Sequence, residues 1–167
     1  MHNSPNRARR IVTVACLAAL AVVVTGCASV KRYSSDLPKN LQVVPEIETG
    51  SRFTDVYPLM DIHRVDAKCE LQFQGRIVLE DGKVDVGVPT DGLLYLEAIF
   101  LRERTFSNQS SLVRQATLLK PRPGYSYLSR VKYLNGIYAL DVQERGRDGS
   151  VRKLERAPLS ECKALRG

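Results

Sequence analysis

Chemistry in this chain has few residues to draw on. His63 and His2 are the two histidines of the 167 residues, so a His-rich zinc site is excluded by count. A Ser–His–Asp relay would have to use His63, and no strained Gly-x-Ser-x-Gly elbow accompanies it. Asp61, Asp66 and Glu70 stand close together along the chain. Two carboxyls facing across a cleft can serve as acid and base in hydrolysis. An enzyme that hydrolyses or modifies its substrate through Asp61, Asp66 and Glu70 is therefore one reading. Interleaved Lys68 favours the other, a solvated strand face. Asp81, Asp85, Asp91 and Asp148 fall at or near turns, where Asp serves its own backbone. None of them has calcium-loop spacing. Phosphate-cradling glycine loops and dinucleotide fingerprints are missing too. The expectation is no catalytic set, no metal and no cofactor.

A second group suits binding. Lys120, Arg122, Arg130 and Lys132 surround Tyr125, Tyr127, Tyr133 and Tyr138. Arg with Tyr is a common interface composition, which makes Lys120, Arg122, Tyr125, Arg130 and Lys132 a candidate patch. Strand parity sets Tyr127 and Tyr133 opposite Arg130 and Lys132, so a basic face over packed tyrosines is the alternative.

The thiols point to a compartment. Residues 1–10 carry Arg7, Arg9 and Arg10 and no acid, residues 11–24 are uncharged, and residues 25–29 are small. This is the form of a secretory signal. Its last part, Val24-Thr25-Gly26-Cys27, resembles the lipobox of bacterial lipoproteins. The resemblance covers the export segment only, and Val24 replaces the usual Leu. It implies cleavage before Cys27, acylation of that thiol and a stable lipid anchor. By the same resemblance, Ala28 and Ser29 in place of an Asp after the cysteine imply the outer membrane, in a host that has one. An uncleaved anchor is the competing reading, since residues 11–30 carry no charge and as a helix would be about 30 Å long. Cys16 leaves with residues 1–26. Cys69 and Cys162 remain, an even pair in an oxidising space, and a disulfide between them is expected.

Charge agrees with that placement. The chain holds 25 Lys plus Arg against 18 Asp plus Glu. Cleavage removes three arginines and no acid, leaving 22 against 18, a mildly basic protein. That is no nucleic-acid footprint, but it suits an anionic membrane or polymer. The expected partners are the membrane, through the anchor, and an envelope protein or anionic envelope polymer. Oligomeric state is left open.

The elements that must position these residues read as β. Residues 27–50, with Ser34, Ser35, Pro38 and Pro45, are expected to form the lipidated end and a tether. Residues 51–167 are expected to form one domain. Residues 65–73 alternate apolar and polar, as a half-buried strand does, with Cys69 facing inward and Gly75 ending the run in a bulge or bend. Asp81-Gly82 predicts a hairpin pairing Leu79 with Val84 and Ile77 with Val86. Asn135-Gly136 predicts another, pairing Tyr133 with Tyr138, Val131 with Leu140 and Arg130 with Asp141. At Asp148-Gly149, matching Val142 with Leu154 requires a three-residue loop or a bulge. Residues 93–104 fit a long two-sided strand, although Leu93, Leu96 and Phe100 also fit a helical stripe. Many short strands with turn signals predict an all-β antiparallel sandwich, immunoglobulin-like or transthyretin-like. In function, such a domain reads as a non-enzymatic binding or accessory module of the envelope.

Overall fold

A computed structural model describes residues 30–50, 52–80, 82–104 and 110–166. The signal, the lipobox and Cys27 lie outside the described residues, as do Asp81 and most of the loop after residue 104. Lys31–Gly167 forms a unit of its own. It is an all-β sandwich of two packed sheets, as the strand pattern predicts. Among the described residues no helix is long and apolar enough to cross a membrane.

The strands are β1 (Leu41–Glu48), β2 (Thr54–Val65), β3 (Leu71–Val78), β4 (Val84–Val86), β5 (Leu93–Arg104), β6 (Ser110–Leu119), β7 (Ser126–Leu134), β8 (Ile137–Arg145) and β9 (Val151–Leu154). One sheet has the order β3-β2-β5-β6 and the other β4-β1-β7-β8-β9. All pairs are antiparallel except β1 with β7. An immunoglobulin domain keeps its first two strands in one sheet. Here β1 and β2 lie in different sheets, so the connectivity departs from the immunoglobulin pattern. Met60, Ile62, Leu94, Leu96 and Phe100 of the first sheet meet Leu41, Val43, Val131, Tyr133 and Leu140 of the second. This apolar layer, burying side chains at about 1.5–3 kcal/mol each, holds the sheets together.

Two turns follow their sequence rules. Asn135 and Gly136 both have positive φ, the type I′ signature. The β7–β8 register joins Tyr133 to Tyr138, Val131 to Leu140 and Arg130 to Asp141. Val142 pairs with Leu154. The Gly149 N–H donates to the Gly146 carbonyl, the Gly146 N–H donates to the Ser150 carbonyl, and Gly149 has φ +82°. That is a three-residue loop closed by a glycine bulge. Residues 93–104 are a strand, β5, buried on both faces at Phe100 and Ile99.

Three expectations need correction. Residues 65–73 are not one strand, because the chain turns back at residues 66–70. Asp66 Oδ1 accepts from the Lys68 and Glu70 N–H groups at 2.8 and 2.9 Å, and Cys69 takes φ 66°. The alternation there comes from turn chemistry. Cys69 thus sits in a turn and not on the inward face of a strand. Next, Asp81-Gly82 makes no hairpin. β3 stays with β2, while β4 crosses to the other sheet and pairs with β1, Val43 against Val84. Finally, residues 31–50 are no tether. β1 is the second strand of the five-stranded sheet, and Leu41 and Val43 are core. Pro45 is tolerated because β4 covers only residues 41–43 of β1, leaving its missing N–H on an open edge.

The N-terminal segment is fastened before β1 begins. The Asn40 amide exchanges two hydrogen bonds with the Val88 backbone, at 2.9 and 2.7 Å. The Tyr33 hydroxyl donates to the Gly87 carbonyl at 2.8 Å. Residues 31–33 lie along β3, with the Arg76 N–H donating to the Lys31 carbonyl and the Tyr33 N–H to the Arg76 carbonyl, both at 2.9 Å. Beside this seam Gly75 opposes Ile62, and the register shifts before His63, the expected bulge. At the other end, Cys69 is bonded to Cys162, the first residue of the short helix α1 (Cys162–Arg166).

Candidate functional site

A cleft of about 1030 Å³ lies between the β6 and β9 edges of the two sheets. Its apolar floor is Leu93, Leu118 and Leu119, each at most 5% exposed. Leu154 and Leu165 continue that surface. The Leu118 N–H donates to the Ala157 carbonyl at 2.7 Å, so the chain leaving β9 closes back onto the edge of β6. The disulfide holds α1, and with it Leu165 and Arg166, at the wall.

Cations stand around that floor. Lys120, Arg122, Arg152, Lys153 and Arg166 all line the cleft. Glu144, 4% exposed, organises two of them. It accepts from both nitrogens of the Arg122 fork, from Arg152 at 3.1 Å and from the Tyr127 hydroxyl at 3.1 Å. The Arg122 guanidinium lies 3.8 Å from the Tyr125 ring centre, a cation–π stack. Lys120 is different: its ammonium donates to the Leu165 carbonyl at 2.9 Å, and no ion pair joins it to a carboxylate among the described residues. Arg166 donates to the Val65 and Asp66 carbonyls.

The expected patch is divided by this geometry. Lys120 and Arg122 line the cleft, and Tyr125 supports Arg122 from outside it. Arg130 and Lys132 lie on the outer face of β7 instead. There Glu46 meets Arg130 at 3.1 Å and Lys132 at 3.4 Å, and Asp141 meets Lys132 at 3.1 Å. Parity holds for the tyrosines, since Tyr127 and Tyr133 are buried. Arg152, Lys153, Arg166 and Glu144 escaped the sequence reading. They come from β8, β9 and α1: pairing of β8 with β7 and of β9 with β8 places the residues of those strands, and the closure at residues 154–162 brings in Arg166.

The three carboxylates do not converge. Asp61 is buried in a two-bonded pair with Arg76, at 2.7 and 2.9 Å. Asp66 caps its own turn, and Glu70 is exposed where that turn ends. Asp61 does meet another group, which sequence spacing hides. It is paired across strands with Glu97, and Asp61, His63 and Glu97 place ligating atoms within 4.8 Å of one another. Such a trio could hold a divalent cation. Arg76 on Asp61 and Arg114 on Glu97 already balance both carboxylates, and two guanidiniums oppose an added cation. His63 is a half-buried residue within β2, its ring 5.4 Å from Phe73 and 6.1 Å from Tyr95.

No protein-family model, curated protein or solved structure matches the chain.

The charges around the cleft set a pH response. Arg122 holds the Glu144 carboxyl below its ordinary range, with Tyr127 and Arg152 adding to it. For Asp141 burial pushes the other way, but Lys132 and Lys153 outweigh it and the carboxyl is also lowered. A lowered folded value adds stability above the unfolded-chain value of about 4, lost as pH falls through the folded one. The expected melting temperature is level from about pH 7 to 5 and declines below about pH 4. Glu144→Gln shrinks that decline. Thermal unfolding followed across pH checks both, and a decline complete above about pH 5 contradicts the assignment.

Proposed function

We propose that this chain is a lipid-anchored protein of the bacterial cell envelope, held at the outer membrane, that binds a partner without catalysing a reaction. The lipobox-like Val24-Thr25-Gly26-Cys27 supports the anchor. The observation that carries the binding role is the cleft between β6 and β9: an apolar floor ringed by cations, one of which, Lys120, has only a carbonyl as partner. That combination suits an anionic group carried on an apolar chain, as in an acidic segment of an envelope protein or an anionic envelope polymer. The alternative, a hydrolase or modifying enzyme on Asp61, Asp66 and Glu70, has no facing carboxyl pair to rest on.

A photoreactive side chain at position 90, on the cleft rim, tests this in intact membranes, with position 137 as control. Thr90 lines the cleft and Ile137 is 70% exposed on the β7–β8 hairpin. One defined adduct from position 90, absent from 137, is the expected result. Equal labelling from both, or none from 90, overturns the binding role. Lys120→Glu is expected to weaken capture about tenfold, the worth of one charge-assisted hydrogen bond reversed in sign.

A further inference from the structure

From the way residues 31–33 are seated, we infer that the domain lies flush on an anionic lipid surface along its β3 edge, with the β6 and β9 rims of the cleft turned away from the membrane. The inference rests on the lipid-anchor reading above and adds an orientation to it.

The first argument is reach. Four peptide steps separate Cys27 from Lys31, at most about 14 Å of extended chain. At Lys31 the chain is already bonded to Arg76 of β3, and at Tyr33 to Arg76 and Gly87. The seat is specific to its residues. A Cβ on Gly75 would lie 2.6 Å from the Tyr33 N and Cα atoms, so only glycine lets this segment approach. An acylated Cys27 therefore holds one particular edge within about 14 Å of the lipid. So short a leash gives that edge a high effective concentration at the surface.

The second argument is composition. β3 is an edge strand and carries exposed Leu71, Phe73 and Val78, at 38, 40 and 36%. Lys31 and Arg32, bonded along this strand, are exposed as well. Apolar side chains next to cations suit the headgroup boundary. Exposed Glu70 and Glu80 mark the two ends of the strand. The occupant that fits is a bilayer containing anionic lipid.

The third argument is topology. β3 and β4 are edges on one side of the sandwich, and β6 and β9 are edges on the other. In the four-stranded sheet β3 and β6 are three strand spacings apart, about 14 Å. The β6 and β9 rims of the cleft then stand on the side away from the lipid, while its α1 wall is tied to the start of β3 by Cys69–Cys162.

The chain has no tryptophan, so one introduced residue reports alone. Native acylated protein carrying Phe73→Trp, Leu71→Trp or Val151→Trp is placed in phosphatidylcholine–phosphatidylglycerol vesicles containing a lipid quencher at headgroup depth. Val151 is the control, 55% exposed on β9. At least twofold quenching at 73 and 71, with little at 151, is expected. A flexible linker inserted between Ser29 and Val30 should reduce quenching at 73 toward the level at 151. Intact mass of each sample separates the two ideas. A mass without acyl chains overturns the anchor and the docked edge with it. A mass with them, and equal quenching at 73 and 151, overturns the docked edge alone.

Discussion

Replacing Cys162 with serine is expected to lower the melting temperature by about 10 °C or more and to loosen one wall of the cleft. The Cys69–Cys162 bond closes a separation of 93 residues. Chain-entropy reasoning values a loop of that length at about 4–5 kcal/mol. In a domain of this size each kcal/mol moves the midpoint by about 2–4 °C. The bond also anchors a small second core, where Cys162 packs with Val65, Leu93 and Leu118 and draws in Leu165. Without it, α1 keeps only the Lys120 and Arg166 hydrogen bonds to the body of the sandwich among those described. Cys69→Ser/Cys162→Ser should match the single variant, which excludes an effect of a stray thiol. A shift of under about 3 °C in both contradicts the pinning role.

Glu144→Ala is expected to cost about 2–3 kcal/mol. The carboxylate is buried, yet Arg122 and Arg152 are 48 and 68% exposed. Both arginines can turn to water after the change, so the loss falls below that of a fully buried pair. The Tyr127 hydroxyl cannot turn out, because its side chain is 2% exposed. It still accepts from the Arg122 backbone N–H at 2.8 Å, but its own proton loses the Glu144 acceptor. Ligand capture should fall further than stability alone explains, since Arg122 would lose the bonds that aim it. Urea unfolding, with capture measured under folded conditions, separates the two effects. Unchanged stability would show that the Glu144 network contributes nothing to the fold.

Legibility in the sequence followed the range of each interaction. The β7–β8 hairpin could be read because Asn135-Gly136 fixes both turn type and register, and each face then checks the other. The bulge loop at Gly149 was legible for the same reason. Cys69–Cys162 followed from counting thiols. The error at residues 65–73 arose because a side-chain-capped turn mimics strand alternation, and Cys69 adopts positive φ without a glycine to announce it. Leu79 opposite Val84 and Ile77 opposite Val86 made the Asp81-Gly82 hairpin locally reasonable. Nothing local says that Val84 prefers the edge of β1. Pro38 and Pro45 made residues 27–50 read as a tether, although β1 lies between β4 and β7. The cleft was half visible: Lys120 and Arg122 belong to one turn, while Glu144, Arg152 and Arg166 reach it through long-range pairing.

Intact mass spectrometry of the protein taken from its own membranes is the most direct test. The predicted mass begins at Cys27, includes acyl chains and is two hydrogens short of the reduced chain. A mass that retains Met1, carries no lipid and shows both later thiols free contradicts the envelope assignment.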